Sequence, residues 1–138
     1  MKKSGRSSCP IGLSLDILGD RWTLLILRDI LLRGMTRYKD FLEAGEGIAT
    51  NLLAQRLLWL EEQGLITKTD DPANGKQFIY APTPKSLDLL PVLWDLSRWG
   101  LKHLPDAKSN PLADRMLKNE AKFQEKIRAK FTQHKKGG

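Results

Sequence analysis

One cysteine in 138 residues, Cys9, leaves no second thiol for an internal disulfide and excludes a zinc site built from cysteines. An intersubunit disulfide or a reactive thiol stays open. Long apolar runs are missing too. Leu89–Trp94, proline included, falls far below the roughly 20 residues that a membrane-spanning helix needs. Met1–Ser8 is basic and polar, and the apolar positions after Cys9 are interrupted by Ser14, Asp16 and Asp20, so no secretory signal is read there and a cytoplasmic protein is expected. No glycine-rich phosphate loop, nucleophile elbow, paired carboxylates or metal-ligand spacing occurs. His103 and His134 stand far apart in polar surroundings and are expected on the surface. These absences point away from an enzyme, and neither metal nor cofactor is expected.

Excess charge is nearly absent from most of the chain. Residues 1–101 carry 13 Lys and Arg against 12 Asp and Glu, whereas residues 102–138 carry 10 against 4, so the net +7 divides as +1 and +6. An anionic partner is implied, whether nucleic acid, an anionic membrane surface or an acidic protein. The central region must nevertheless be judged on its pattern rather than on its total charge.

Leu13, Ile17 and Leu18 recur at helical spacing before Gly19 and predict a short first helix led in by Pro10. A second helix begins at Trp22, Leu25 and Ile26 and finishes through Leu31–Gly34. Its apolar residues extend around much of its circumference, which marks a helix contacting several others. Thr36 is expected to cap a short helix over 37–43, with Tyr38, Phe41 and Leu42 inward. Ala44–Gly47 turns the chain. Leu53, Leu57 and Leu60 then form the inward stripe of the clearest helix, about 50–63, which Gly64 stops. Leu65–Thr69 and Gln77–Ala81 read as a hairpin around the turn-rich tip 70–76. A long helix from Pro84 to about Leu101 follows, capped by Thr83 and either kinked or divided at Pro91. A last helix, begun by Pro111 and capped by Ser109 or Asn110, continues to about Phe131. Its sparse stripe of Leu112, Met116, Phe123 and Ile127 requires a partner surface, either the body or another copy.

The fold class is therefore mainly α with a small β-hairpin, a winged helix-turn-helix with extra N- and C-terminal helices. A short helix and a longer one joined by a tight turn let the first brace across a backbone while the second enters the major groove, which is roughly 12 Å wide. With the leucines of 50–63 facing inward, Thr50, Asn51, Ala54 and Gln55 occupy the other face. Asn and Gln pair bidentately with adenine, Thr bonds a base edge or offers its methyl to thymine, and Ala permits close approach. Arg37, Lys39, Arg56, Asn74 and Lys76 are the candidate backbone contacts. Asp70 and Asp71 would repel phosphates if they faced DNA, so they are expected to point away. A basic protein-interaction or membrane-surface module without specific DNA readout is the alternative.

The residues Cys9-Pro10 with Leu15, Ile17 and Gly19, then Arg21-Trp22-Thr23-Leu24-Leu25-Ile26-Leu27-Arg28, Arg37-Tyr38, Gly47-Ile48, Gln55-Arg56-Leu57, Gly64-Leu65-Ile66 and Leu90-Pro91-Val92-Leu93 with Trp99 resemble the HxlR family of winged helix-turn-helix regulators. The likeness covers nearly all of residues 9–100. It implies a winged helix-turn-helix DNA-binding domain at 9–101 and a basic helical extension at 102–138 that joins the dimer interface. It also implies a homodimer on the inverted repeat of double-stranded DNA, acting as a repressor, with no membrane partner. Cys9 is the candidate redox or electrophile sensor, because Arg6 and a helix start beside it favour a reactive thiolate. The dimer surface is expected at Leu15, Leu18, Trp94, Trp99, Leu112, Met116, Phe123 and Ile127.

Overall fold

The computed structural model describes residues 8–137, and the side chains of residues 8–132. Arg6 and the side chain of His134, both invoked in the sequence reading, lie outside the described residues. The order is α1 (Pro10–Leu18), α2 (Arg21–Leu31), α3 (Tyr38–Leu42), α4 (Thr50–Glu62), β1 (Ile66–Asp71), β2 (Asn74–Pro82), α5 (Pro84–Leu87), α6 (Leu90–His103), α7 (Pro111–Lys118) and α8 (Glu120–Gly137). This is a mainly helical winged helix-turn-helix with one antiparallel hairpin and additional flanking helices.

α2 is the central element, as its wide apolar coverage requires. Ile26, Leu27, Ile30 and Leu31 are all buried, together with Leu53, Leu57 and Leu60 of α4 and with Leu90, Leu93 and Trp94 of α6. Phe41, Leu65, Ile66 and Tyr80 close the core from the turn and the hairpin. Two indoles tie outer helices to this body. Trp59 Nε1 donates to the Ile17 carbonyl of α1 at 3.0 Å, and Trp94 Nε1 donates to the Met116 carbonyl of α7 at 2.7 Å.

Asp20 starts α2. Its carboxylate accepts from the backbone N–H groups of Trp22 at 2.9 Å and Thr23 at 3.0 Å, and from the Thr23 hydroxyl. Such a cap is worth about 1 kcal/mol. Gly64 ends α4 with φ at 72°, a left-handed value that a side chain would oppose, and the Leu65 N–H reaches back to the Leu60 carbonyl at 2.9 Å. Thr83 starts α5, accepting from the Ser86 N–H at 3.3 Å while its own hydroxyl donates to the Gly64 carbonyl at 2.7 Å. Pro91 divides the expected long helix into α5 and α6.

Several boundaries differ from expectation for local reasons. α3 is shorter, and Thr36 does not cap it: Asp40, inside the first turn, accepts from the N–H groups of Thr36 at 3.3 Å and Arg37 at 3.1 Å. The strands run into the expected tip because Asp71 pairs with Asn74 across Pro72–Ala73, and the register shift between Asp70 and Asp71 puts the irregularity on β2. The helix expected over 111–131 breaks at Asn119, whose φ of −146° and ψ of 75° are not helical. A straight helix would hold Leu112 and Ile127 about 22 Å apart at 1.5 Å per residue. The break folds both onto one body.

Candidate nucleic-acid interface

Leu53 and Leu60 are fully buried and Leu57 nearly so, which fixes the rotation of α4 about its axis. Thr50, Asn51, Ala54 and Gln55 are all exposed on the opposite side, and Leu58 continues the same outward strip with 55% of its surface exposed. Asn51, Ala54, Gln55 and Leu58 follow the spacing that places residues on one helical face. No side chain caps the N-terminus of α4, where Ala49 is the N-cap residue, so its first backbone N–H groups face outward beside Thr50.

The turn ahead of α4 is held from both sides. Tyr38 Oη donates to the Thr50 carbonyl at 2.7 Å, joining α3 to the start of α4. Glu46 in the turn receives Arg28 at 3.0 Å and Arg21 at 3.2 Å, and Arg33 reaches the Ala44 carbonyl at 3.3 Å. Arg28 at 3.0 Å and Arg33 at 3.2 Å also flank the buried Asp29 carboxylate. Burial pushes the Asp29 carboxyl above its ordinary value even though both arginines oppose the shift. The turn is thus braced by a network rooted in α2 rather than by apolar packing alone.

The expected backbone contacts separate into two kinds. Lys39 and Lys76 are exposed, and among the described residues neither forms an ion pair; Asn74 is exposed at the wing, its Oδ1 accepting from the Lys76 N–H at 3.1 Å. Arg37 and Arg56 are engaged within the chain. Arg37 donates to Asp71 and, at 3.1 Å, to Gln77 Oε1, which fastens α3 to the wing. Arg56 lies 3.3 Å from Asp20, the cap of α2. Both are expected to grip phosphate; in the folded chain each also pairs with an acid remote in sequence, which links α3 to the wing and α4 to the start of α2. Asp71 does turn inward, as its expected orientation required. Its carboxyl sits below the ordinary range, because the Ala73 N–H donates to it and the Arg37 guanidinium stands beside it.

Lys68 was missed. Its ammonium lies 4.1 Å from the centre of the Phe78 ring, and with Arg37, Lys39 and Lys76 it lines a groove of about 530 Å³ between α3 and the wing. In the hairpin Lys68 stands opposite Tyr80, a pairing that the sequence pattern along β1 does not reveal.

The expected dimer residues also divide. Leu15 and Trp99 are exposed by 59% and 57%, and Leu18, Leu112 and Phe123 are half-buried. Trp94, Met116 and Ile127 are buried in their own chain, because α7 and α8 fold back on α6, with the Phe123 ring edge-on to Trp94 at 5.5 Å. Little of their surface is left for a second copy. Ile11 and Leu15 of α1 and Val92, Leu96 and Trp99 of α6 form an exposed apolar strip on each helix. Ile11, Val92 and Leu96 were overlooked, although their spacing to Leu15 and Trp99 marks one face on each helix. Cys9 is exposed immediately before α1, and His103 is exposed near the end of α6. Among the described residues no metal-binding cluster occurs, and no helix is long and apolar enough to cross a membrane.

Comparison with known proteins agrees with this geometry. An HTH-type transcriptional regulator of Mycobacterium tuberculosis is 32% identical over 102 residues, covering 74% of this chain and 63% of the relative. The chain thus spans less than two thirds of that relative's length. A solved structure from Porphyromonas gingivalis, described as a MarR-family regulator, is 30% identical with a TM-score of 0.64 and covers 75% of this chain and all of that one. YodB from Bacillus subtilis, a transcriptional regulator solved in its reduced form, is 26% identical with a TM-score of 0.59, covering 74% of this chain and 100% of that one, and it has also been solved bound to a quinone. The model of the HxlR-like helix-turn-helix family matches residues 17–108, and the chain belongs to that family of winged helix-turn-helix DNA-binding transcriptional regulators.

Proposed function

We propose that the chain is a homodimeric repressor that binds an inverted repeat in double-stranded DNA through α4. The observation that carries this reading is the outward strip of Thr50, Asn51, Ala54 and Gln55 on a helix locked from behind by Leu53, Leu57 and Leu60. Thr50, Asn51 and Gln55 read base edges, Ala54 lets the helix axis approach, and the uncapped N–H groups meet a phosphate at the groove edge. Lys39, Lys68, Asn74 and Lys76 contact the backbone, while Arg37 and Arg56 keep the wing and α4 in register with the body.

Two copies join through the apolar face of α1 and α6, which spaces two α4 helices one DNA turn apart, about 34 Å. Cys9 leads into α1, so a change at its thiol acts on the helix that carries Ile11 and Leu15. The quinone-bound state of YodB supports a response of this kind. Protection of a palindromic segment beside the protein's own gene, by a species whose mass in solution is twice that of the chain, is the expected result. Binding that ignores sequence, or a monomer on DNA, overturns the reading. Equal DNA affinity of reduced and quinone-treated protein overturns the role of Cys9 alone.

A further inference from the structure

Where α2 ends, α7 and α8 cross it and leave a cavity of about 600 Å³, lined by Leu31, Leu32, Phe123 and Ile127 below and by cations around the rim. Arg33, Arg115, Lys122, Lys126 and Lys130 supply that rim, and among the described residues no acidic one lines the cavity. Arg33 is balanced by Asp29 at 3.2 Å. Among the described residues the other four have no ion-pair partner. The carboxyl end of α2 contributes only about half a negative charge, far too little to offset four cations. Lys122, Lys126 and Lys130 also stand at i, i+4 spacing, where like charges destabilise a helix. Phe123 and Ile127 place an apolar stripe directly beside that column. Arg115 lies 5.6 Å from the Phe123 ring centre, so the aromatic floor and the cationic rim meet at one point.

We propose that this cavity binds a small amphipathic organic anion, its carboxylate or equivalent group among Arg115, Lys122 and Lys126 and its apolar body against Leu32, Phe123 and Ile127. The volume suits a ligand of that kind, and the combination of apolar floor with convergent polar groups is that of a small-molecule site. Most of the cavity is built by α7 and α8, which lie beyond residues 17–108. The site therefore belongs to the extension and not to the DNA-binding body.

The test uses octanoate, with octan-1-ol supplying the body without the charge and inorganic phosphate the charge without the body. Calorimetric titration of the full chain is expected to show saturable one-to-one binding of octanoate and none of the other two at the same concentrations. Lys122→Glu with Lys126→Glu is expected to weaken octanoate at least tenfold with a melting temperature no lower than that of the wild type, and Lys126→Gln alone severalfold, which serves should the double reversal unfold. Phosphate binding as tightly as octanoate would show a plain polyanion patch and overturn the proposal. So would octan-1-ol binding equally well, octanoate binding unchanged in either variant, or no octanoate binding at all.

Discussion

Arg37, at the entry to α3, holds the carboxylate of Asp71 at the tip of the wing, joining residues 34 positions apart. One contact does two things. It neutralises an acid of the wing, and it sets the hairpin against the helix that precedes α4. Of the two consecutive acids of the wing, Asp71 is taken up by this anchor and Asp70 stays exposed.

Arg37→Ala is therefore expected to loosen the wing and to weaken specific and random DNA together. Amide exchange should accelerate across β1 and β2 while α4 keeps its protection. The pH dependence follows from Asp71, whose carboxyl lies below its ordinary value in the folded chain. The stabilisation is fully present above the unfolded carboxylate range, about 3.9, and is lost as pH falls through the lower folded value. Wing protection that is insensitive to both the mutation and acid contradicts this anchor.

Asn51→Ala and Gln55→Ala should each cost about 1–3 kcal/mol on the operator and little on random duplex, because each removes a base-edge pair. Lys76→Ala should weaken both DNAs equally and reduce the dependence on salt concentration. Competition gel shifts at two salt concentrations separate these outcomes. An unchanged ratio of operator to random affinity in Asn51→Ala removes the base-reading assignment.

Asp20→Ala removes the cap of α2 and the partner of Arg56. The expected loss is about 1–2 kcal/mol, read as a lower melting temperature. Burial alone would raise the Asp20 carboxyl, but the Thr23 hydroxyl, the Thr23 and Trp22 N–H groups and Arg56 outweigh it and hold it below its ordinary value. Its stabilisation is thus present above the unfolded value and lost as pH falls through the folded one. The melting temperatures of wild type and variant should converge in acid, and a constant gap between them would contradict the assignment.

Leu96→Glu and Trp99→Glu place a charge on the exposed face of α6 without disturbing Trp94, which is buried on the other side. Each is expected to yield a folded monomer by light scattering, with operator affinity reduced by the loss of the second half-site. A dimer of unchanged mass in both variants would move the interface elsewhere. Trp94→Ala is expected to act differently, costing about 3–5 kcal/mol of stability through the cavity it leaves.

The helices and the hairpin were legible because their signals are local. Leucine spacing, a terminal glycine, the caps Thr83 and Asn110 and a turn-rich hairpin tip each act within a few residues, so α4 and its outward strip followed from residues 50–64 alone. The break at Asn119 was not legible. Nothing in the local pattern of 111–131 stops a helix; the need to cover Trp94 does.

Sequence by itself determined which side of α4 meets the solvent, since three leucines at helical spacing leave the amide side chains no other place. Tertiary structure alone decided which cations are available. Arg37 and Arg56 look like Lys39 and Lys76 along the chain, yet the first two meet Asp71 and Asp20 while the last two meet none among the described residues. It also decided that the apolar residues of α7 and α8 cover their own chain, while Leu15, Leu96 and Trp99 stay exposed. The physical reason is one of range. A helical face repeats every few residues, whereas an ion pair or a buried ring depends on segments far apart that only the folded chain brings together.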